Sequence, residues 1–256
     1  WKIYEKVDAY ATSLISSPST VNDQDFGYRI VGREDFRTLV ISAPSAGQGT
    51  IHFFFARNVT SDTPTITIQQ SLTMTDNDDN TSRLGESLSI STDGNFVVAG
   101  APYTNALGAD GSTRFLNSGL IKTYVWNPST FSYNELNTIT GPVDGSSNLE
   151  NANFGWSTAI AETTEDSVRN TTPKLLFVSA PGFESDTGIV HMYTWGVGAD
   201  GSTFDTWTQQ VSIQSNDPDA GQRFGHRVKV NDNGDILAVS SKAPGKAGKV
   251  EIFTRT

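Results

Sequence analysis

Short apolar runs recur in the same order four times along this chain, and each run ends in a turn. The most regular segment is a continuous apolar stretch that ends in Ser or Gly, then Ala and Pro. It occupies residues 39–44, 97–102 and 176–181, and a fourth copy at 237–241 has its Ala-Pro displaced by two residues. A short apolar run closed by proline is typical of a strand buried on both faces.

Three further segments accompany each of these runs. The segment before it alternates, as in Val228 and Val230 on either side of Lys229, which predicts a half-buried strand. The segment after it begins with Gly and carries a β-branched residue and an aromatic at fixed offsets, at 49–54, 119–124, 188–193 and 248–253. A last segment opens with an aromatic at 131–136 and 207–211, with 65–72 as its counterpart in the first unit. Each unit therefore predicts four short strands and no helix.

A Phe-Gly or Leu-Gly pair marks the start of every unit, and successive pairs lie 58, 70 and 70 residues apart. A repeat of this length indicates units that cannot bury their apolar faces alone. We therefore expect one all-β domain over 1–256, a β-propeller of four-stranded antiparallel blades, with repeats at about 26–83, 84–153, 154–223, and 224–256 plus 1–25. The large residue of each pair should be buried between blades, and the glycine should allow close backbone approach. The pairs are Phe26-Gly27, Leu84-Gly85, Phe154-Gly155 and Phe224-Gly225.

The two ends of the chain complement one another. The fourth unit stops after its third strand, and residues 1–7 resemble a fourth strand without the first three. Pairing of residues 1–7 with residues 248–255 would close a ring of four blades. Such closure requires that one blade be built from strands at both ends of the chain. The alternative is that the four units are part of a larger propeller.

These motifs resemble the FG-GAP repeat family, known from the propeller of integrin α subunits. Phe-Gly occurs in three units and Leu-Gly in one, and Gly100-Ala101-Pro102 reproduces the Gly-Ala-Pro signature that Ser-Ala-Pro replaces in two others. The aromatic-led strand followed by an acidic loop is most similar to the variant found in bacterial, algal and large-virus surface proteins. The resemblance implies a propeller, an extracellular or cell- or virion-surface location, and a role in adhesion, ligand binding or assembly.

Integrin-type repeats often carry a calcium loop, Asp-x-Asp-x-Asp-Gly-x-x-Asp, between the first two strands. The corresponding segments here are 91–95 and 231–235, which contain fewer carboxylates. Ca²⁺ takes about 6–8 oxygen ligands, whereas Asp-Gly and Asn-Gly are ordinary hairpin turns. We therefore expect plain turns and no metal or cofactor, with Ca²⁺ as the alternative.

Composition narrows the choice of partners. The formal charge of −10, from 18 basic and 28 acidic residues, disfavours nucleic acid and anionic membranes. No apolar stretch approaches the roughly 20 residues of a membrane span, so membrane insertion is not expected. The chain has no Cys, which excludes disulfides and thiolate metal sites. A protein or glycan surface remains as the expected partner.

Catalytic signals are weak. His52 and His191 occupy one position of the third strand, where the other units have Lys122 and Glu251, so the position looks tolerant. His226 follows a Phe-Gly pair, and the same argument applies to it. No nucleophile elbow, phosphate loop or paired-His motif is present. We predict no catalytic residues and a non-enzymatic protein; the alternative is a glycan-binding lectin or a polysaccharide-degrading propeller.

The loops that break the repeat supply the candidate binding residues. In a propeller, the loop between strands two and three shares a face with the joints between blades, and loops on a rigid scaffold often carry binding residues. We predict that this face binds a macromolecular partner. The candidates are Tyr103, Asp110, Arg114 and Phe115 in the second unit, and Phe183, Glu184 and Asp186 in the third.

Overall fold

The computed structural model describes residues 25–33, 38–57, 65–74, 82–107, 111–141, 150–162, 174–196, 206–245 and 247–255, and these form an all-β structure. Four antiparallel sheets follow one another along the chain. The first contains β1 (Ile30–Gly32), β2 (Thr38–Ala43), β3 (Thr50–Arg57) and β4 (Thr65–Thr73). The second contains β5 (Ser87–Ile90), β6 (Phe96–Ala101), β9 (Leu120–Asn127) and β10 (Ser132–Thr140). A small hairpin of β7 (Ala106–Leu107) and β8 (Arg114–Phe115) lies between β6 and β9 in the sequence.

The third sheet contains β11 (Thr158–Glu162), β12 (Lys174–Ala180), β13 (Ile189–Trp195) and β14 (Trp207–Ile213). The fourth has three described strands, β15 (Phe224–Val230), β16 (Ile236–Ser241) and β17 (Lys249–Thr254). The single turn α1 (Phe183–Asp186) is left-handed from Glu184 onward, with φ of 48° at that residue. The predicted pairing of 1–7 with the last strand involves residues outside the described part of the chain.

The central strands are buried as their sequences predict. Every residue of β6 and β12 is buried, because both faces of these strands lie in the core. β16 alternates between buried and more exposed residues, since its sheet is covered on one face only. The third-strand aromatics Phe54, Tyr124 and Tyr193 are at most 4% exposed, so they are core residues.

Three apolar clusters lie between consecutive sheets, and the same contact builds each junction. The glycine that opens a third strand lies against the backbone of the Phe or Leu that opens the next unit. A Cβ on Gly49, Gly119 or Gly188 would come within 2.1 Å of a backbone atom of Leu84, Phe154 or Phe224, respectively. The amide of each of these large residues donates to the carbonyl that precedes the glycine, at 2.9, 2.9 and 3.0 Å. A side chain at any of the three glycines would separate the sheets.

The large residues of the Phe/Leu-Gly pairs fill these junctions, as predicted, in three of the four units. Leu84, Phe154 and Phe224 are 1%, 0% and 0% exposed. The glycine that follows has positive φ in every unit, from 89° to 93°. A Cβ on Gly155 would lie 2.5 Å from the carbonyl oxygen of Leu120, which confirms the close backbone approach there. Phe26 departs from the prediction because it is only half-buried.

The fourth junction is not made within the described residues. Ile51, Ile121 and Val190 are 0% exposed because the next unit covers them, whereas Val250 in the same register is 64% exposed. The ideal Cβ position of Gly27, which would face such a residue, has no atom within 4 Å. The first strands of all four sheets nevertheless line one cavity of about 300 Å³, which includes Gly32, Ser89, Thr158 and Lys229. The first strands of the four sheets therefore share one cavity, and the described residues make three junctions between the sheets.

Candidate functional site: the mouth of the central cavity

The residue after each Phe/Leu-Gly pair stands where a first strand begins. In the four units this residue is Tyr28, Glu86, Trp156 and His226. Contacts between units connect Tyr28 to Glu86 and Trp156 to His226. We define the mouth as these four residues together with the neighbouring side chains Arg29, Arg83, Tyr103, Arg223 and Arg227.

One side of the mouth is a hydrogen-bonded network around Glu86. The Tyr28 hydroxyl donates to Oε1 of Glu86, and Nε of Arg83 donates to Oε2 at 3.0 Å. Arg83 also donates through Nη1 to Ser45 Oγ at 3.0 Å. Burial, followed by the hydrogen bond to Glu86, raises the pKa of Tyr28, so its hydroxyl stays protonated and acts as a donor. Both oxygens of the Glu86 carboxylate therefore accept a hydrogen bond from a neighbouring side chain.

Two further guanidinium groups lie beside this network. Arg29 is stacked over the Tyr28 ring at 4.6 Å, and its Nε donates to the Glu86 carbonyl at 3.2 Å. Arg227 donates through Nη1 to the carbonyl of His226 at 2.8 Å. Burial, and next the charge of Arg29, lowers the pKa of Arg227. Neither forms an ion pair with a carboxylate of the described residues.

The opposite side of the mouth is aromatic. The rings of Tyr103 and Trp156 meet edge-on at 6.1 Å, and the rings of Trp156 and His226 lie 6.0 Å apart. Burial lowers the pKa of His226, and the nearby cations, beginning with Arg227, lower it further, so its imidazole is neutral near pH 7. The indole Nε1 of Trp156 is buried and has no hydrogen-bond partner among the described residues. This side therefore offers apolar ring surface.

Left-handed backbone positions Arg83 and Arg223 at the mouth. The residue before each Phe/Leu-Gly pair has φ between 55° and 66° in all four units, and two of these residues are Arg83 and Arg223. A left-handed conformation costs a residue with a Cβ roughly 1 kcal/mol or more, and Asn, which stands at the equivalent position 153, tolerates it better. From this backbone Arg223 reaches Asp186 on α1 at 3.1 Å. Both guanidinium groups are close enough to Tyr103 to act on its pKa.

The predicted binding residues divide between the mouth and other places. Tyr103 is part of the mouth, and Asp186 joins it through Arg223. Phe183 packs against the apolar cluster between the second and third sheets, so it is partly a core residue. Glu184 lies in the left-handed turn, where its carbonyl accepts from the Thr187 amide at 3.2 Å.

The remaining candidates lie on the β7–β8 hairpin. Arg114 pairs with Leu107 and Phe115 with Ala106, and Arg114 is exposed whereas Phe115 is half-buried. Asp110 lies outside the described residues.

Sequence reasoning missed the arginines of the mouth and undervalued Trp156 and His226. The repeat equivalence of Tyr28, Glu86, Trp156 and His226 is visible in the sequence, but their variety suggests a tolerant strand position. One signal in the sequence could have pointed to them. Arg223 and Arg227 flank the Phe-Gly pair of the fourth unit, and an arginine fills one of these two positions in the first and second units, at Arg29 and Arg83.

The turn at 91–95 does not fit calcium. Asp93 accepts from Ser91 Oγ at 2.6 Å and forms an ion pair with Lys174 Nζ at 2.9 Å. Lys174 is almost fully buried and also contacts Glu162 at 2.9 Å, so it joins the second and third sheets. Hydrogen bonds from Ser91 and Lys174 outweigh burial and hold the pKa of Asp93 at about 2. In the part of the chain that the structure describes, no three His, Asp or Glu side chains form a metal-binding group.

Comparison with known proteins adds little to this picture. No family model matches the chain, and no curated protein matches it in sequence. A crystal structure of a provisionally named 6-phosphogluconolactonase from Bacteroides uniformis aligns with 87% of this chain at 12% identity and a TM-score of 0.47. The chain spans about half of that structure, 52% of its length. This likeness is too weak to support an argument about fold or function. Within the described ranges, no helix is long and apolar enough to cross a membrane.

Proposed function

We propose that the four sheets are the blades of an FG-GAP-type β-propeller. Three junctions of identical construction and a shared central cavity support this arrangement. The first and fourth units line the same cavity of about 300 Å³, which favours a ring of four blades over a larger one. The open position at Gly27 and the exposed Val250 are the two halves of the contact that would complete the ring.

The propeller acts as a non-enzymatic binding module at a cell or virion surface, and the mouth is the part of its binding face that contacts a protein or glycan partner. The observation that supports this most directly is the combination of half-exposed aromatic rings with two arginines, Arg29 and Arg227, that form no ion pair with a carboxylate of the described residues. Tyr, Trp and Arg are the residue types that most often anchor interfaces, since they combine a large contact area with a polar end. Loops and strand ends on a rigid scaffold hold such anchors in place at little entropic cost.

Binding to a panel of neutral and acidic polysaccharides, measured by biolayer interferometry, tests this function. Tyr103→Ala should weaken binding at least tenfold, because its ring leaves the mouth. Phe115→Ala on the β7–β8 hairpin is the matched control and should bind like the parent protein. Equal binding by the parent and Tyr103→Ala would show that the mouth is not the contact surface, and a loss only in Phe115→Ala would transfer the site to the hairpin.

A glycan-degrading enzyme is the second candidate. Tyr28, Glu86 and His226 gather titratable groups beside arginines at one mouth, which is the constellation that such an enzyme needs. Release of reducing ends from the same polysaccharide panel separates the two functions. Product release that His226→Gln abolishes would establish the enzyme and refute the non-enzymatic proposal.

A further inference from the structure

The mouth carries positive charge inside a strongly acidic chain. The protein has a formal charge of −10, yet four guanidinium groups meet at the mouth. Arg83 is neutralised by Glu86, and Arg223 by Asp186. Arg29 and Arg227 have no such partner among the described residues, and Lys229 lines the cavity below them. The local excess of charge therefore comes from Arg29 and Arg227, which hold the same position in the first and fourth units, two residues before Val31 and Lys229 of the cavity lining.

Such a pair is unfavourable without an anion. Two cations that are partly removed from water repel each other and lose hydration, and each would be stabilised by a shared negative group. Arg29 is already oriented, because it stacks on Tyr28 and donates to the Glu86 carbonyl, and Arg227 is held by the His226 carbonyl. Each guanidinium keeps further N–H donors for a ligand, since a guanidinium has five. Each arginine is thus held in place at the mouth with donors left for an oxyanion.

The surroundings favour a sugar as the carrier of that anion. Trp156 and Tyr103 present ring surface at the same mouth, and Tyr28 is 36% exposed beside Arg29. Ligand sites typically combine such apolar surface with a few convergent polar groups. A planar carboxylate matches the fork of an arginine, with two parallel hydrogen bonds.

We propose that the mouth binds a glycan through a single carboxylate-bearing sugar, a uronate, with Arg29 and Arg227 as its charged partners. This inference rests on the proposed binding function and names the ligand class for the same site. A single charge is favoured over a polyanion, because the rest of the chain, at −10, repels a long run of negative groups. The aromatic side of the mouth then contacts the apolar face of the sugar ring.

Methyl glucuronide and methyl glucoside form a matched pair of probes, since they differ only in the carboxylate. Isothermal titration, with saturation-transfer NMR for weak binding, should show the glucuronide bound at least tenfold more tightly than the glucoside. Raising the salt concentration should weaken glucuronide binding. Inorganic phosphate, the third probe, should bind more weakly than the glucuronide because it offers nothing to the rings.

Arg29→Gln and Arg227→Gln should each weaken glucuronide binding about tenfold or more, which corresponds to about 1.4 kcal/mol. Arg114→Gln, an exposed arginine on the β7–β8 hairpin, is the matched control and should leave binding unchanged. Circular dichroism melts should confirm that all three variants fold, since neither Arg29 nor Arg227 forms an ion pair with a carboxylate of the described residues.

Several results would overturn the inference: no glucuronide binding, equal affinity for both glycosides, phosphate binding as tight as glucuronide binding, or an equal loss in Arg114→Gln. If Tyr103→Ala loses polysaccharide binding while Arg29→Gln and Arg227→Gln keep glucuronide binding, the proposed function stands and the uronate assignment fails. If Arg29→Gln and Arg227→Gln lose glucuronide binding but no polysaccharide binds to the parent protein, the site is correct and the surface-binding function fails.

Discussion

Mild acid should destabilise the protein through one buried histidine. His191 lies on β13 and is 2% exposed, with Nδ1 2.9 Å from Ser212 Oγ. Its ring lies 5.8 Å from that of Phe154, and its Nε2 is buried without a partner among the described residues. Burial lowers the pKa of His191 from 6.5 to about 4, because a charged imidazole would lose its hydration there.

The sign and size of the effect follow from this shift. Between pH 6.5 and 4 the unfolded chain binds a proton that the folded chain does not, so stability is complete above pH 6.5 and falls as the pH drops towards 4. The full shift corresponds to about 3 kcal/mol, and roughly 2 kcal/mol of it should already be lost at pH 5.

Urea unfolding at pH 7 and pH 5 measures this loss. The parent protein should lose roughly 2 kcal/mol more between these two conditions than His191→Gln does, whatever the variant costs at pH 7. His226→Gln is the control, because His226 is only half-buried and should alter the pH dependence less. Equal losses in the parent and His191→Gln would refute the reasoning, since the histidine would then not be the group that titrates.

Three further substitutions test the junctions. Phe154→Ala should lower the free energy of unfolding by roughly 3–5 kcal/mol, whereas Phe131→Ala, at a residue that is 69% exposed, should lower it by less than about 0.5 kcal/mol. Similar losses in the two variants would mean that the junction is not packed as described. Gly119→Ala should destabilise far more than Gly111→Ala, because both glycines have positive φ but only the first lies against a backbone; equal melting temperatures would contradict this. Lys174→Ala should cost roughly 1–3 kcal/mol, because it leaves two partly exposed carboxylates without their shared cation, and a loss under about 0.5 kcal/mol in urea unfolding would show that the ion pair is not structural.

The sheets could be predicted because their signals are local. Apolar runs, turn residues and glycines at fixed offsets specify each strand without knowledge of its neighbours. The burial of individual first strands was harder to predict. Leu88 and Ser89 suggest an alternating, half-buried strand, but both are at most 9% exposed, because β5 lies between β1 and β11.

The mouth could not be predicted in the same way, since its side chains come from units separated by 58 to 70 residues. Arg83 and Arg223 reach it from left-handed backbone that no arginine propensity would indicate. Tyr28 and Glu86 occupy the same position of two units but differ in chemistry. In the sequence, that position therefore looks like one that tolerates any residue. Only the folded structure shows the contacts between units that connect Tyr28 to Glu86 and Trp156 to His226.

The glycine-to-backbone junction also has a consequence for symmetry. Its two sides are different surfaces, so it is a heterologous, head-to-tail contact. Such a contact either closes on itself after a full rotation or continues as an open array, and the rotation per unit decides between the two. Among the described residues, the surfaces at Val250 and Gly27 are the two sides of this contact that meet no partner. A direct match between these two surfaces would stop the series at four units, because it would leave neither side free for a further unit.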